Sequence, residues 1–102
     1  MDEKKKIRGV IIDAGHGGRD PGAVAGKLRE KDFTLKASLY MRDRLKQLGI
    51  PVKMTRETDE TLSNQERVRR ARNAFGLHED VLLISNHINT GGGEGQSVTH
   101  SV

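Results

Sequence analysis

The sequence predicts an α/β fold, a mostly parallel twisted sheet with helices on both faces. Three observations carry that prediction. Two short apolar runs, at 7–12 and 81–84, are rich in branched residues and give way to polar or glycine-rich sequence. Runs of this kind read as strands covered on both sides. Between them lie two stretches with apolar residues near helical spacing. A short alternating segment at 52–55 follows the first of these. Strand, crossover helix and strand then form a βαβ unit, which should be right-handed.

The first strand holds Ile7, Val10, Ile11 and Ile12. It stops in Asp13-Ala14-Gly15-His16-Gly17-Gly18-Arg19-Asp20-Pro21-Gly22, where the glycines and the proline forbid regular structure. Glu30, Lys31 and Asp32 open the first helix. Leu35, Leu39, Leu45 and Leu48 form its apolar side, with Ala37 and Met41 beside them, and Arg42, Asp43, Arg44, Lys46 and Gln47 face water. Gly49 ends it and Pro51 prevents continuation. Residues 56–62 read as a polar connection. Ser63 and Glu66 fit a capping box at the start of a second helix. That helix runs to Phe75, with Val68, Ala71 and Phe75 on one face and Gly76 after it. Arg67, Arg69, Arg70 and Arg72 form a basic cluster that reads as a solvated face. The third strand runs from 81 into Asn86, His87, Ile88 and Asn89. A flexible glycine-rich loop is expected at 91–95, and 97–102 reads as the start of a further strand. Neither an internal repeat nor an interdomain linker interrupts the chain, so 1–102 reads as one domain.

Composition narrows the function. A chain of 102 residues buries only roughly 60–65% of its unfolded surface, so its core is modest. Hydrophobic content is 33%, but it is clustered and periodic, which argues for a folded chain. Cysteine is absent, which excludes a disulfide framework and a thiolate metal site. Any metal must be held by His, Asp or Glu. The net charge of +4 suits acidic partners in general, nucleic acid and anionic wall polymers among them. Aromatic residues make up 3% and are not interleaved with basic ones, so nucleic acid is not an expected partner. Apolar runs all fall short of a membrane span. The charged start, Met1-Asp2-Glu3-Lys4-Lys5-Lys6, precedes only a short apolar run and no small-residue cleavage site, so it does not read as a signal peptide.

The chemistry gathers around two histidines. His16 and His87 both stand where an apolar strand runs out, and in a parallel sheet those ends open on one edge. Glu30 stands where the loop after the first strand turns into the helix. The three are 14 and 57 residues apart, so only the fold can unite them. Two imidazoles and a carboxylate form a known catalytic zinc set, with the fourth position left to water. Other readings stay open. His16 also reads as a polar loop histidine without a task. The glycine-rich loop could cradle a phosphate, although it lacks the glycine and lysine spacing of the nucleotide-binding loops. Asp13 either steadies a ligand histidine from behind or ties down the turn. Arg19 and Asp20 either fix the loop or touch substrate. Asn89 either faces substrate or caps a turn. His78 and His100 read as surface histidines.

The ordered motifs resemble a known family. They are Ile12-Asp13-Ala14-Gly15-His16-Gly17-Gly18-Arg19-Asp20-Pro21-Gly22-Ala23, then Leu28-Arg29-Glu30-Lys31-Asp32. Thr55-Arg56 and Glu66-Arg67 follow, then Ile84-Ser85-Asn86-His87-Ile88-Asn89 before a glycine-rich loop. Together, over residues 7–95, they resemble the zinc-dependent N-acetylmuramoyl-L-alanine amidases of the amidase-3 type. That resemblance implies zinc held by His16, Glu30 and His87. It also implies peptidoglycan as substrate, cleaved at the amide between N-acetylmuramic acid and L-alanine. It places the action at the cell wall, in phage lysis or autolysis, after synthesis in the cytoplasm. Asn86 departs from the aliphatic residue the family often carries there. The family's domain is longer, and its general-base glutamate lies on a later strand. Glu94 comes too early to match it. The resemblance therefore implies an N-terminal part of an amidase domain, complete in zinc ligands and without its base or last strands. Weak amidase activity and self-association through an uncovered sheet edge are the expectations. The alternative is a catalytically silent fragment that binds zinc or peptidoglycan.

Overall fold

The computed structural model describes residues 7–76, 78–89 and 94–101, with Asn89 and 94–101 described by backbone alone. In chain order the elements are β1 (Gly9–Ala14), β2 (Val24–Ala25), β3 (Leu28–Arg29), α1 (Glu30–Gln47), β4 (Val52–Met54), α2 (Asn64–Phe75), β5 (Val81–Asn89) and β6 (Glu94–Ser101).

The main sheet has the order β4-β1-β5-β6. β1 pairs parallel with β4 and with β5, and β6 returns antiparallel to β5. β1 is thus interior to the sheet and buried at every position. Side chains along it alternate between two layers. Ile11 packs against Val81 and against Ala71 of α2, with Ala74, Phe75 and Leu83 around them. On the opposite face Asn86, the register partner of Ala14, donates to Ser38 of α1. Helices therefore cover both faces, as the sequence predicts.

Several local expectations are corrected. Ile7 is 45% exposed and precedes the strand, which begins at Gly9. The loop after β1 contains a two-stranded hairpin, β2 with β3, that the sequence reading did not anticipate. The glycine-rich connection is shorter than expected, because Glu94 and Gly95 already pair with Asn89 and Ile88. Residues 90–93 and Val102 lie outside the described residues, as do 1–6.

α1 does not bury the leucine stripe. Its buried residues are Glu30, Lys31, Thr34 and Ser38, whereas Ala37 and Leu48 are exposed and Leu35, Leu39, Met41 and Leu45 are half-buried. The first turns of α1 lie over the end of β1, where backbone carbonyls leave the sheet and need donors. Thr34 Oγ1 donates to Gly15 O at 2.6 Å and Lys31 Nζ to Gly18 O at 2.9 Å. Loop carbonyls, not a side chain, cap the helix start: Glu30 N bonds Ala23 O and Lys31 N bonds Pro21 O. At the other end Gly49 N bonds Lys46 O and Ile50 N bonds Leu45 O, a Schellman closure.

α2 starts as predicted, with Ser63 Oγ accepting from Glu66 N at 3.0 Å. Its inner face, however, is set by Arg67, Ala71 and Ala74 at i, i+4 and i+7, and Val68 is 49% exposed. The basic cluster is therefore not one solvated face. Arg67 turns inward to Asp13, and Arg70 reaches Thr55 O, Glu60 and Glu66. Arg69 pairs with Glu66 on the outside and Arg72 is exposed. Among the described residues no helix is long and apolar enough to cross a membrane.

Candidate metal centre

β1 ends at Ala14, and the chain turns sharply two residues later. His16 has φ 65°, a left-handed conformation that residues other than glycine seldom adopt. Two guanidinium groups hold the turn. Arg56, 2% exposed, donates from Nε to Ala14 O and from Nη2 to Gly15 O, each at 3.0 Å. It also reaches Thr58 O, Lys31 O and Thr34 Oγ1. Burial, with the nearby Arg67 charge, holds its pKa below the ordinary arginine value. Arg67 donates to Asp13 Oδ1 at 2.6 Å, Ala14 O at 2.8 Å and His16 O at 3.1 Å. Sequence reasoning missed both arginines as parts of the site. The one signal for them was their place among the ordered motifs.

Asp20, not Asp13, stands behind His16. Its Oδ2 lies 2.8 Å from His16 Nδ1, and its Oδ1 accepts from Gly22 N at 3.1 Å. The His16 contact first, and the Gly22 N–H second, hold its carboxyl below the usual carboxylate value. A carboxylate can only accept, so the Asp20 contact favours a proton on Nδ1 and turns Nε2 toward Glu30. Asp13 faces the α2 layer instead. It accepts from Thr55 Oγ1, Ser85 Oγ and Arg67, and so ties four segments together. Burial would raise its pKa, but the bonds from Ser85, Arg67 and Thr55 outweigh burial and hold it below the ordinary value.

Glu30 is the first residue of α1 and is 5% exposed. Its Oε1 accepts from Ala23 N at 3.0 Å and its Oε2 from Ile88 N at 2.7 Å. Burial would raise its pKa, but these N–H groups and the two imidazoles outweigh it, so the carboxyl stays ionised. Oε2 lies 3.2 Å from His16 Nε2 and 3.7 Å from His87 Nδ1. His87 sits inside β5, not beyond its end, with its side chain 44% exposed. The imidazole rings meet edge to face, 5.2 Å between centroids.

One ligand atom from each of His16, Glu30 and His87 lies within 4.8 Å of the others. Tetrahedral zinc with nitrogen and oxygen ligands places its donors roughly 3.3–3.6 Å apart. The separations from Glu30 bracket that value, and two nitrogens with one anionic oxygen form a fitting donor set. Close packing around the cluster is equally specific. At Gly22, φ +69°, a Cβ would stand 2.7 Å from both Glu30 Oε1 and His16 Cδ2. Only glycine satisfies both the conformation and the space.

The rest of the loop is braced from the β4–α2 connection. Asp59 accepts from Gly18 N and from Lys31 Nζ, and Thr61 Oγ1 accepts from Arg19 N. The N–H groups of Gly17, Gly18, Arg19, Gly22 and Ala23 all bond protein oxygens. That leaves them unavailable to cradle a phosphate. Asp20 thus fixes the loop, whereas Arg19 joins it through its backbone N–H and its side chain is exposed. His78 is exposed, as expected. The side chains of Asn89, Glu94 and His100 lie outside the described residues.

Fold and cluster define an α/β protein with a His-Glu-His site able to hold one metal ion at the edge of a parallel sheet. Residues 10–100 match the amidase-3 family model, N-acetylmuramoyl-L-alanine amidase, and the chain belongs to that family. An uncharacterised Bacillus subtilis protein, YqiI, is 42% identical over 82 residues, 80% of this chain and 38% of its own length. The germination-specific N-acetylmuramoyl-L-alanine amidase of Bacillus subtilis is 40% identical over 90 residues, 78% of this chain and 38% of its own. Among solved structures, the catalytic domain of the amidase CwlV from Bacillus (Paenibacillus) polymyxa superposes with a TM-score of 0.70 at 38% identity. That match covers 80% of this chain and 45% of that catalytic-domain chain. The chain thus spans little more than a third of the curated relatives it matches.

Proposed function

We propose that this chain provides the metal-holding part of a zinc-dependent N-acetylmuramoyl-L-alanine amidase acting on peptidoglycan, within a single amidase domain. The observation that supports this most directly is the His16, Glu30 and His87 cluster in a chain of this family. Bound there, zinc would supply Lewis acidity that polarises an amide carbonyl and acidifies a water molecule. The chain's own residues prepare the place. The Asp20 carboxylate at His16 Nδ1 favours the proton there. Ala23 and Ile88 N–H groups hold Glu30 ionised and aimed. The exposed side of His87 leaves an approach for a glycan-linked peptide. Cell walls, in phage lysis or autolysis, are the proposed place of action. Nucleic acid is not proposed as a partner, since Arg67 and Arg70 are engaged with Asp13, Glu60 and Glu66.

Amide hydrolysis also needs a group to move the proton from water to the leaving amine, worth ~10²–10⁴ in rate. Among the described residues the cluster contains one carboxylate, Glu30, and it is committed as a ligand; Asp20 is committed to His16. This favours a second reading, in which the chain by itself binds zinc or peptidoglycan with little turnover. β6 ends the described sheet, and such edges pair with other chains. Self-association through it is part of the proposal.

Metal analysis of the purified chain beside His16→Ala and His87→Ala tests the assignment. One zinc per wild-type chain and loss in both variants is the expected result. Equal zinc in all three would overturn it. Mass analysis of stem peptides released from cell walls separates turnover from silent binding, and sedimentation at several concentrations reads self-association.

A further inference from the structure

We infer that Arg67 is a positioning residue for the metal ligand His16. The inference rests on the metal site proposed above. His16 holds φ 65°, a conformation that persists only where the surroundings impose it. Among the described residues, Arg67 is the one side chain that donates to the His16 carbonyl. The same planar group spans three successive points on the path out of β1: Asp13 Oδ1, Ala14 O and His16 O. Its own orientation is fixed in turn, because Asp13 is anchored by Thr55 from the end of β4 and Ser85 from β5.

Arg56 and Arg67 divide the work. Arg56 bonds Ala14 O and Gly15 O and continues to Lys31 O and Thr58 O. It therefore holds the strand end to α1 and to the following loop. Arg67 alone adds the next carbonyl, that of His16. Losing Arg67 leaves the strand end tied by Arg56 while the His16 peptide is released. The imidazole then swings away from Glu30 and His87, and metal affinity falls in a chain that still folds. Lysine cannot replace the fork. It places one point charge that reaches Asp13, but it cannot bond Ala14 O and His16 O in fixed geometry.

The test uses Arg67→Lys and Arg67→Gln, with Arg69→Lys as a surface control. Cobalt(II) serves as a spectroscopic probe, zinc affinity is read by chelator competition, and metal-free melting is read separately. Wild type and Arg69→Lys should bind one ion alike. Arg67→Lys should melt close to wild type without metal, yet bind zinc at least tenfold more weakly, with an altered cobalt spectrum; outer contacts to metal ligands typically carry 10–100-fold. Arg67→Gln should be weaker still. Wild-type affinity and spectrum in either folded variant overturn the inference. So does failure of both variants to fold without metal, which would make Arg67 a folding residue. Absence of metal binding by wild type overturns the proposed function and this inference together.

Discussion

Substituting Gly22 by alanine should separate a conformational cost from a steric one. Gly22 has φ +69°, and Gly26, in the neighbouring hairpin turn, has φ +61°. An alanine at either position must enter the left-handed region, at about 1–2 kcal/mol. For a chain of this size each kcal/mol lowers Tm by roughly 4–8 °C. That penalty is common to both variants. What differs is the space. At Gly26 an added Cβ meets nothing within 4 Å, whereas at Gly22 it meets Glu30 Oε1 and His16 Cδ2 at 2.7 Å. Relief to ordinary contact at 3.4 Å needs a shift of about 0.7 Å in Glu30 and His16 themselves. Metal–ligand distances in a sound zinc site stay within about 0.2 Å of their usual values. Glu30 cannot simply step aside, since Ala23 N and Ile88 N pin both its oxygens. Gly22→Ala should therefore bind zinc at least tenfold more weakly than Gly26→Ala, about 1.4 kcal/mol or more, and should also melt lower in chelator, because the same clash strains the metal-free loop. Competition titration near neutral pH measures the first quantity and calorimetry the second. Equal zinc affinity in the two variants would refute the reasoning.

Two further outcomes follow from the core and from Asp13. Ile11 is 1% exposed and packs between Val81 and Ala71, so Ile11→Ala should cost about 2–5 kcal/mol. Urea unfolding at unchanged m-value reads this, and a loss under about 1 kcal/mol would contradict the placement. Asp13 is held below its ordinary pKa in the folded chain. Its stabilisation is present above the unfolded value of about 3.9 and is lost as pH falls through the folded value. Metal-free wild type should thus weaken progressively below about pH 4, and Asp13→Asn, less stable at neutral pH, should lack that component. Parallel acid profiles for the two would show that Asp13 is not its source.

Local chemistry by itself determined much of this protein. Branched apolar runs marked β1 and β5, because strand propensity and burial on both faces are written in consecutive residues. Ser63 and Gly49 marked helix ends because capping is settled within a few residues. His16, Glu30 and His87 were legible as candidates from their residue types and their places at element ends, and the fold brings them together. Tertiary structure alone decided the supporting cast. Arg56 and Arg67 look like any solvated arginine in sequence. Their burial depends on carbonyl and carboxylate partners 42 and 54 residues away. Asp13 and Asp20 both flank the histidine, and the left-handed turn at His16 puts its ring on Asp20 while Asp13 stays with the α2 layer. The leucine stripe of α1 gave way to Thr34 and Ser38 because that helix covers the polar end of a sheet. Periodicity reports which residues share a face, but what the face must satisfy is set by the groups opposite it.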